Sequence, residues 1–246
     1  MNVEIRTLPL DHLGLVAGVF DQLDIADVID NRIPKLRNHN LEHSKVIKAM
    51  ILNGLGFVGQ RLYLFPEFYE KLPLDRLLGE GVLASDLNDD ALGRTLDAIY
   101  AYGPTELFNE ISLKVMSQLD LGVQRLHADT TSFSVQGEYE GSSGQKAIEI
   151  ALGHSKDGRM DLKQFILSVV TNQDGIPLFA KAHSGNASDK NTIIEAMLKI
   201  KSGLSLDDSA YYIADSAVYS EGNIQRLGTD MLWITRAPAT LNEIKR

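Results

Sequence analysis

The 246-residue chain has no cysteine, which excludes a disulfide framework and a thiolate metal site. It also lacks any apolar run of the roughly 20 residues needed to cross a bilayer. The first residues, Met1-Asn2-Val3-Glu4-Ile5-Arg6, do not follow the basic-then-apolar plan of a signal peptide. The expectation is a cytoplasmic protein with no membrane partner. Basic residues are scarce too: 24 Lys and Arg face 33 Asp and Glu, for a net charge of −9. Phosphate contacts need clustered cations, so bulk charge does not advertise nucleic-acid binding. The excess lies in the first 120 residues, at −7, against −2 for the remainder. A local basic groove can still sit on an acidic protein. An apolar content of 44% is enough for a buried core, and the length suits one large domain or two ordinary ones.

Residues 1 to about 120 read as helical. Leu13 to Ile29 carries Leu15, Val16, Val19, Leu23 and Ile25 at helical spacing, with Pro34 as a stop. Asn40 can cap a second helix through Val46, Ile47, Met50, Ile51 and Leu55 that loosens at Gly54 and Gly56. Asn88-Asp89-Asp90 starts a third, with Leu92, Leu96 and Ile99 as its stripe and Gly103-Pro104 as its end. A fourth spans Thr105 to Leu119, with Leu107, Phe108, Ile111, Val115 and Met116 inward. These stripes fit a small helical bundle. A helix-turn-helix around residues 81–102 is the minority reading, because no turn signature marks it.

From about residue 123 the period changes. Strand-like runs cover 124–136, 162–172 and 176–183, the first two joined by the Gly- and Ser-rich Gly137 to Arg159. Asp174-Gly175 is a strong hairpin signal. Ser188 or Asp189 then caps a helix with Ile193, Ile194, Met197 and Leu198 inward, closed by Gly203. The strand Tyr211-Tyr212-Ile213-Ala214-Asp215 follows, then a short helix from Ser220 to Leu227 and a last strand, Met231 to Thr235. The order β-β-β-α-β-α-β predicts three antiparallel strands followed by parallel additions through crossovers. The fold class is therefore α/β, a helical domain over 1–120 and a mixed sheet with flanking helices over 121–246.

Two aspartates stand out, Asp129 in the first strand and Asp215 at the end of the fourth, 86 positions apart. An aspartate at a strand end is more often a turn former or helix cap. Two carboxylates brought together by a sheet, however, are what a divalent metal needs for phosphoryl transfer. Mg²⁺ prefers hard oxygen ligands. In open α/β sheets, sites form at the carboxyl ends of parallel strands. If the first and fourth strands are neighbours, the two acids meet.

The segments Leu126-His127-Ala128-Asp129-Thr130-Thr131, Gly153-His154-Ser155-Lys156-Asp157-Gly158-Arg159, Asp174-Gly175-Ile176-Pro177-Leu178, Gly185-Asn186-Ala187-Ser188-Asp189 and Ala214-Asp215-Ser216-Ala217-Val218-Tyr219-Ser220 resemble those of bacterial insertion-sequence transposases with an Asp-Asp-Glu core. The order of elements is similar to the ribonuclease H-like fold of such enzymes. The helical first part resembles the N-terminal domain of uncharacterised function in one subgroup of them. The resemblance implies Asp129 and Asp215 as the first two catalytic, metal-binding acids, with Mg²⁺ (or Mn²⁺) as cofactor. It implies DNA as partner, in the form of transposon ends and target, and a homo-oligomer or full-length transposase as a further one. The third acid should be a Glu on a later helix, with a Tyr, an Arg and a Lys at helical spacing. Arg246 comes before any such segment. The expectation is thus an incomplete ribonuclease H-like domain, truncated before the catalytic Glu and inactive as it stands. Two alternatives stay open: a non-catalytic remnant that inhibits by binding DNA or full-length transposase, and another ribonuclease H-like nuclease with Glu221 or Glu243 completing the site.

Other polar residues carry less. Lys156, Arg159, Lys163 and Arg236 are candidates for DNA phosphate contacts, against a solvated face as the plain alternative. Thr130 and Thr131 line the site or simply follow the strand preference of Thr. His127 and His154 lack the spacing of a His cluster. His183-Ser184 suggests a base and nucleophile, but no orienting acid or nucleophile elbow accompanies it. Gly141 to Lys146 superficially resembles a phosphate-binding loop without its spacing, and a flexible connection is the better reading.

Overall fold

A computed structural model describes residues 7–55, 62–139, 147–156, 158–203 and 209–238. The chain divides into two compact units, Met1–Leu119 and Asp120–Arg246. Among the described residues no helix is long and apolar enough to cross a membrane.

The first unit is helical: α1 (Asp11–Gln22), α2 (Ile25–Arg32), α3 (His43–Asn53), α4 (Phe65–Tyr69), α5 (Leu74–Leu77), α6 (Asp89–Tyr102) and α7 (Pro104–Gln118). The single helix expected over Leu13 to Ile29 is broken. Asp24 adopts a left-handed φ of +49°, and the turn brings Phe20 and Ile29 into one cluster with Ile33 and Leu107. The buried stripe of α1 is Leu13, Ala17 and Phe20, whereas Leu15 and Val19 face outward. Two equally apolar stripes compete there, and the larger Phe20 takes the core. In α3 the buried apolar positions are Val46, Ala49 and Leu52, with Ile51 exposed. Asn40 does not cap this helix; its side chain donates to Asp86. α6 starts as expected, with the Asn88 side chain accepting from the Ala91 amide at 3.0 Å and Asp89 and Asp90 in the first turn. Leu92 is fully buried, but Leu96 is exposed and Thr95 holds the core position, bonded to His43 at 2.9 Å. Residues 81–102 contain a 3₁₀ turn (Ala84–Asp86) and α6, not a helix pair, so no helix-turn-helix forms there.

The second unit is a mixed sheet. Its strands are β1 (Arg125–Val135), β2 (Ala151–Leu152), β3 (Lys163–Thr171), β4 (Pro177–Ser184), β5 (Tyr211–Ala214) and β6 (Leu232–Thr235), with helices α8 (Asp189–Gly203) and α9 (Glu221–Leu227). The sheet order is β2-β3-β1-β5-β6, and β4 pairs with β3. β1, β3 and β4 are antiparallel, while β5 joins β1, and β6 joins β5, in parallel. The short β2 is an addition to the expected order. It lies in the Gly- and Ser-rich stretch Gly137 to Arg159, where among the described residues only Ala151 and Leu152 pair with β3, too short a run to show a period. The expected phosphate-loop lookalike, Gly141 to Lys146, lies outside the described residues.

The alternation of β1 is nearly ideal, with Leu126, Ala128, Thr130 and Ser132 buried. α8 covers this face with Ile193, Ile194, Met197 and Ile200. The opposite face is open. Phe133, Tyr211, Leu232 and Ile234 are each at least 40% exposed, and Phe133 stacks on Phe165 across the β1–β3 pair at 5.0 Å. Trp233, on the covered side of β6, is half-buried. An apolar sheet face of this kind favours association. We expect concentration-dependent self-association by size-exclusion chromatography, relieved by Ile234→Lys. A monodisperse monomer that binds no apolar dye would contradict it.

Where the residues after β2 and after β4 meet beside β3, two glycines touch. A Cβ on Gly185 would lie 2.0 Å from the Gln164 carbonyl oxygen and 2.5 Å from that of Ala151; one on Gly153 would lie 2.0 Å from the Gly185 carbonyl. The neighbours are backbone and cannot move aside. Gln164, fully buried, donates its amide to the Gly185 carbonyl at 2.8 Å, and the Gly185 amide donates to Glu149 at 2.9 Å. Gly185→Ala is therefore expected to cost this unit about 3 kcal/mol or more. Trp233 is the only tryptophan, so its fluorescence in urea follows the second unit alone. Gly93→Ala, in the open middle of α6, should instead stabilise the first unit by roughly 0.5–1 kcal/mol.

Candidate functional site

The register of β1 and β5 places the two aspartates. Ala128 pairs with Ala214, so Asp129 and Asp215 are the next residues along neighbouring parallel strands. Strands sit about 4.8 Å apart, and matched positions in parallel strands point to one face. Asp215 keeps an extended backbone (φ −71°, ψ −179°) although β5 ends at Ala214, so the alternation continues through it. Both side chains belong to the exposed set; that of Asp129 is 77% exposed. The β6 register continues the row: Ala214 pairs with Thr235, which sets exposed Arg236 beside Asp215. Thr235 Oγ1 donates to the Asp215 carbonyl. Thus Asp215 and Arg236 follow the last residues of β5 and β6, in a row with Asp129 in the middle of β1.

Each acid also has a local task. The Asp215 side chain accepts from the Ala217 amide at 2.9 Å, capping the 3₁₀ turn Ser216–Val218. Asp129 Oδ1 accepts from the Thr130 amide at 2.7 Å and from Lys156 Nζ at 3.3 Å. The ammonium also donates to the Thr130 carbonyl, and the Lys156 amide donates to Ser132 Oγ at 3.1 Å. As metal ligands the pair offers hard, solvent-accessible carboxylate oxygens, which suit Mg²⁺ or Mn²⁺. Among the described residues no group of three or more His, Asp or Glu is placed to hold a metal ion. Glu221 sits in the first turn of α9, and Glu243 lies outside the described residues.

The remaining cations divide. Arg159 is committed to Asp161 through two hydrogen bonds of 2.8 and 2.7 Å, which hold the Asp161 carboxyl down at about 2. Lys163 donates to the backbone carbonyls of Glu138 and Tyr139. Of the four, Lys156 bonds Asp129, and Arg236 follows Thr235 in the register beside Asp215. Thr131 shares the exposed face with Asp129, whereas Thr130 is buried beneath the sheet. His127 and His154 are exposed. What sequence reasoning missed is the use of Lys156 against Asp129 and the seat that Ser132 provides for it. Neither has a local signal, since the contact spans 27 positions.

His183 is not a catalytic base beside Ser184. Its Nε2 meets Ser168 Oγ at 2.8 Å on the covered face of the sheet, where both are buried. Burial, and then the nearby Lys181 ammonium, push the His183 imidazole below its ordinary value. The folded state therefore prefers neutral His183 and binds fewer protons than the unfolded chain. Its contribution is present above about pH 6.5 and is lost as pH falls toward the depressed folded value. Trp233-monitored urea midpoints should drop across that window, and the drop should be shallower in His183→Gln.

Residues 4–113 match the family model of a domain of unknown function, DUF4277. No curated protein and no solved structure matches the chain.

Proposed function

We propose that the second unit is the ribonuclease H-like core of an insertion-sequence DNA transposase of the Asp-Asp-Glu type, with Asp129 and Asp215 as its first two acids. The observation that carries this reading is the matched position of the two aspartates, each next after the last β1–β5 pair, with Asp129 inside β1 and Asp215 just past β5. The strand order, with β1 central and β5 and β6 added in parallel, supports it, as do the five motif segments in order. The DUF4277 match over residues 4–113 agrees with the resemblance of the helical part.

In this reading Asp129 and Asp215 hold Mg²⁺ or Mn²⁺, which when bound makes water or a DNA 3′-hydroxyl a better nucleophile and stabilises the leaving oxygen. The chain's own part is placement and charge. Arg236, in the row beside Asp215, is set to meet a phosphate oxygen with its planar guanidinium. Lys156 brings a second cation to Asp129, in the middle of β1. These two supply the local positive charge that the net −9 of the chain lacks.

A second reading is favoured by one observation, the absence of a third ligand beside the pair among the described residues. On that reading the chain binds DNA or full-length transposase without cutting. Water can complete a Mg²⁺ shell, so weak metal binding is compatible with both.

The test measures Mn²⁺ binding and plasmid cleavage by the purified chain, Asp129→Asn and Asp215→Asn. Asn retains a side-chain acceptor for the Ala217 amide, so it spares the cap. We expect Mn²⁺ binding that weakens at least about tenfold in either variant, the loss of one charged ligand, and cleavage at background. Binding that neither substitution changes would remove the active-site assignment. Strong cleavage lost in Glu221→Gln would establish a different nuclease instead.

A further inference from the structure

We infer that Lys156 is a built-in stand-in for the divalent cation, its ammonium occupying the Asp129 side of the site until a metal ion displaces it. The inference rests on the metal-site reading of Asp129 and Asp215 and goes beyond it by assigning an internal competitor. Lys156 is not a loosely solvated surface lysine. Its amide is fixed to the Oγ of Ser132, a buried residue, and its ammonium reaches both the Asp129 carboxylate and the Thr130 carbonyl. The segment that delivers it is held on the other side by the β2–β3 pairing and by the contact of Gly153 with Gly185. Both ends of the reach are thus set by backbone.

The placement answers an electrostatic problem. Two carboxylates in matched positions on adjacent strands repel each other, and Asp129 and Asp215 have one described cation, Lys156, bonded to either. The ammonium takes one Asp129 oxygen and halves the negative charge of the pair. A divalent ion arriving there must displace the ammonium and then sit near it. At about 5 Å, a doubly charged ion and an ammonium repel even in a water-like dielectric by enough to change affinity roughly tenfold, less at high salt. The free acids therefore never present their full charge, and metal affinity is held down until something else engages Lys156. A DNA phosphate has the right chemistry for that, being an anion with strong acceptor oxygens.

The experiment titrates the full chain with Mn²⁺ without DNA, following free Mn²⁺ by electron paramagnetic resonance and the thermal midpoint by Trp233 fluorescence. Lys156→Met, which keeps the apolar stem, should bind Mn²⁺ about tenfold more tightly than the natural chain at low salt. Its metal-induced rise in midpoint should be correspondingly larger. Lys156→Arg, which keeps the charge, should stay near the natural affinity, and Asp129→Asn should bind weakly. If Lys156→Met proves unfolded without metal, Lys156→Gln takes its place with the same expectation. Affinity unchanged or lowered on losing the ammonium, with Asp129→Asn still impaired, would overturn the stand-in role and leave the metal site standing. Binding indifferent to Asp129→Asn, or none in any variant, would overturn both.

Discussion

The parallel pairing of β1 with β5 is the constraint on which the candidate site depends. Ala128 opposite Ala214 is the last pair of that ladder, and each strand continues with an aspartate. A shift by one residue would turn one carboxylate to the α8 face and separate the two. The pairing is held by what lies beneath it. Leu126, Ala128 and Tyr212 are buried on the covered side, against a helix that contributes Ile193, Ile194 and Met197. Hydrophobic burial on one face thus sets the positions of charges on the other.

A second constraint acts beside β3, where β2 and β4 both pair with it. Gln164, fully buried on β3, ties down the carbonyl of Gly185, and Gly153 packs directly against it. No side chain fits at either glycine. Three residues after Gly153 the chain reaches Lys156, whose amide is captured by Ser132. The segments around Gly153 and Gly185, which look like separate motifs in the chain, are two halves of one crossing. That crossing controls where a cation meets Asp129. Close packing at one point and electrostatics at another are therefore linked through a short stretch of backbone.

The two faces of this sheet are unequal. On the covered face, polar Ser168 and His183 are buried against each other, and buried Gln164 donates its amide to Gly185. On the open face, aromatic and aliphatic residues stand in rows: Phe133 beside Phe165, Tyr211 beside Leu232, and Ile213 beside Ile234. Both charged ends of the site belong to this open side. The aspartates and that apolar surface therefore share one side of the sheet.

Much was legible in the chain alone, and for identifiable reasons. The absence of cysteine, the 3.6-residue period before residue 120 and the strand alternation after it are local properties. So are the Asn88 cap, the Gly103-Pro104 break and the Asp174-Gly175 turn, and each forms as its chemistry dictates. Which of two apolar stripes α1 buries was not legible, because Leu15 and Phe20 are equally plausible inward residues until the turn at Asp24 selects one. The two-residue β2 carried too little pattern to be seen. The aspartates were recognisable as candidates from their strands, but their matched positions came from a pairing across 86 residues. The partner of Asp129, the commitment of Arg159 to Asp161 and the burial of His183 were likewise decided by tertiary structure. The reason is physical: periodicity and capping depend on neighbours a few residues away, whereas a carboxylate's surroundings depend on which distant backbone is hydrogen-bonded beside it.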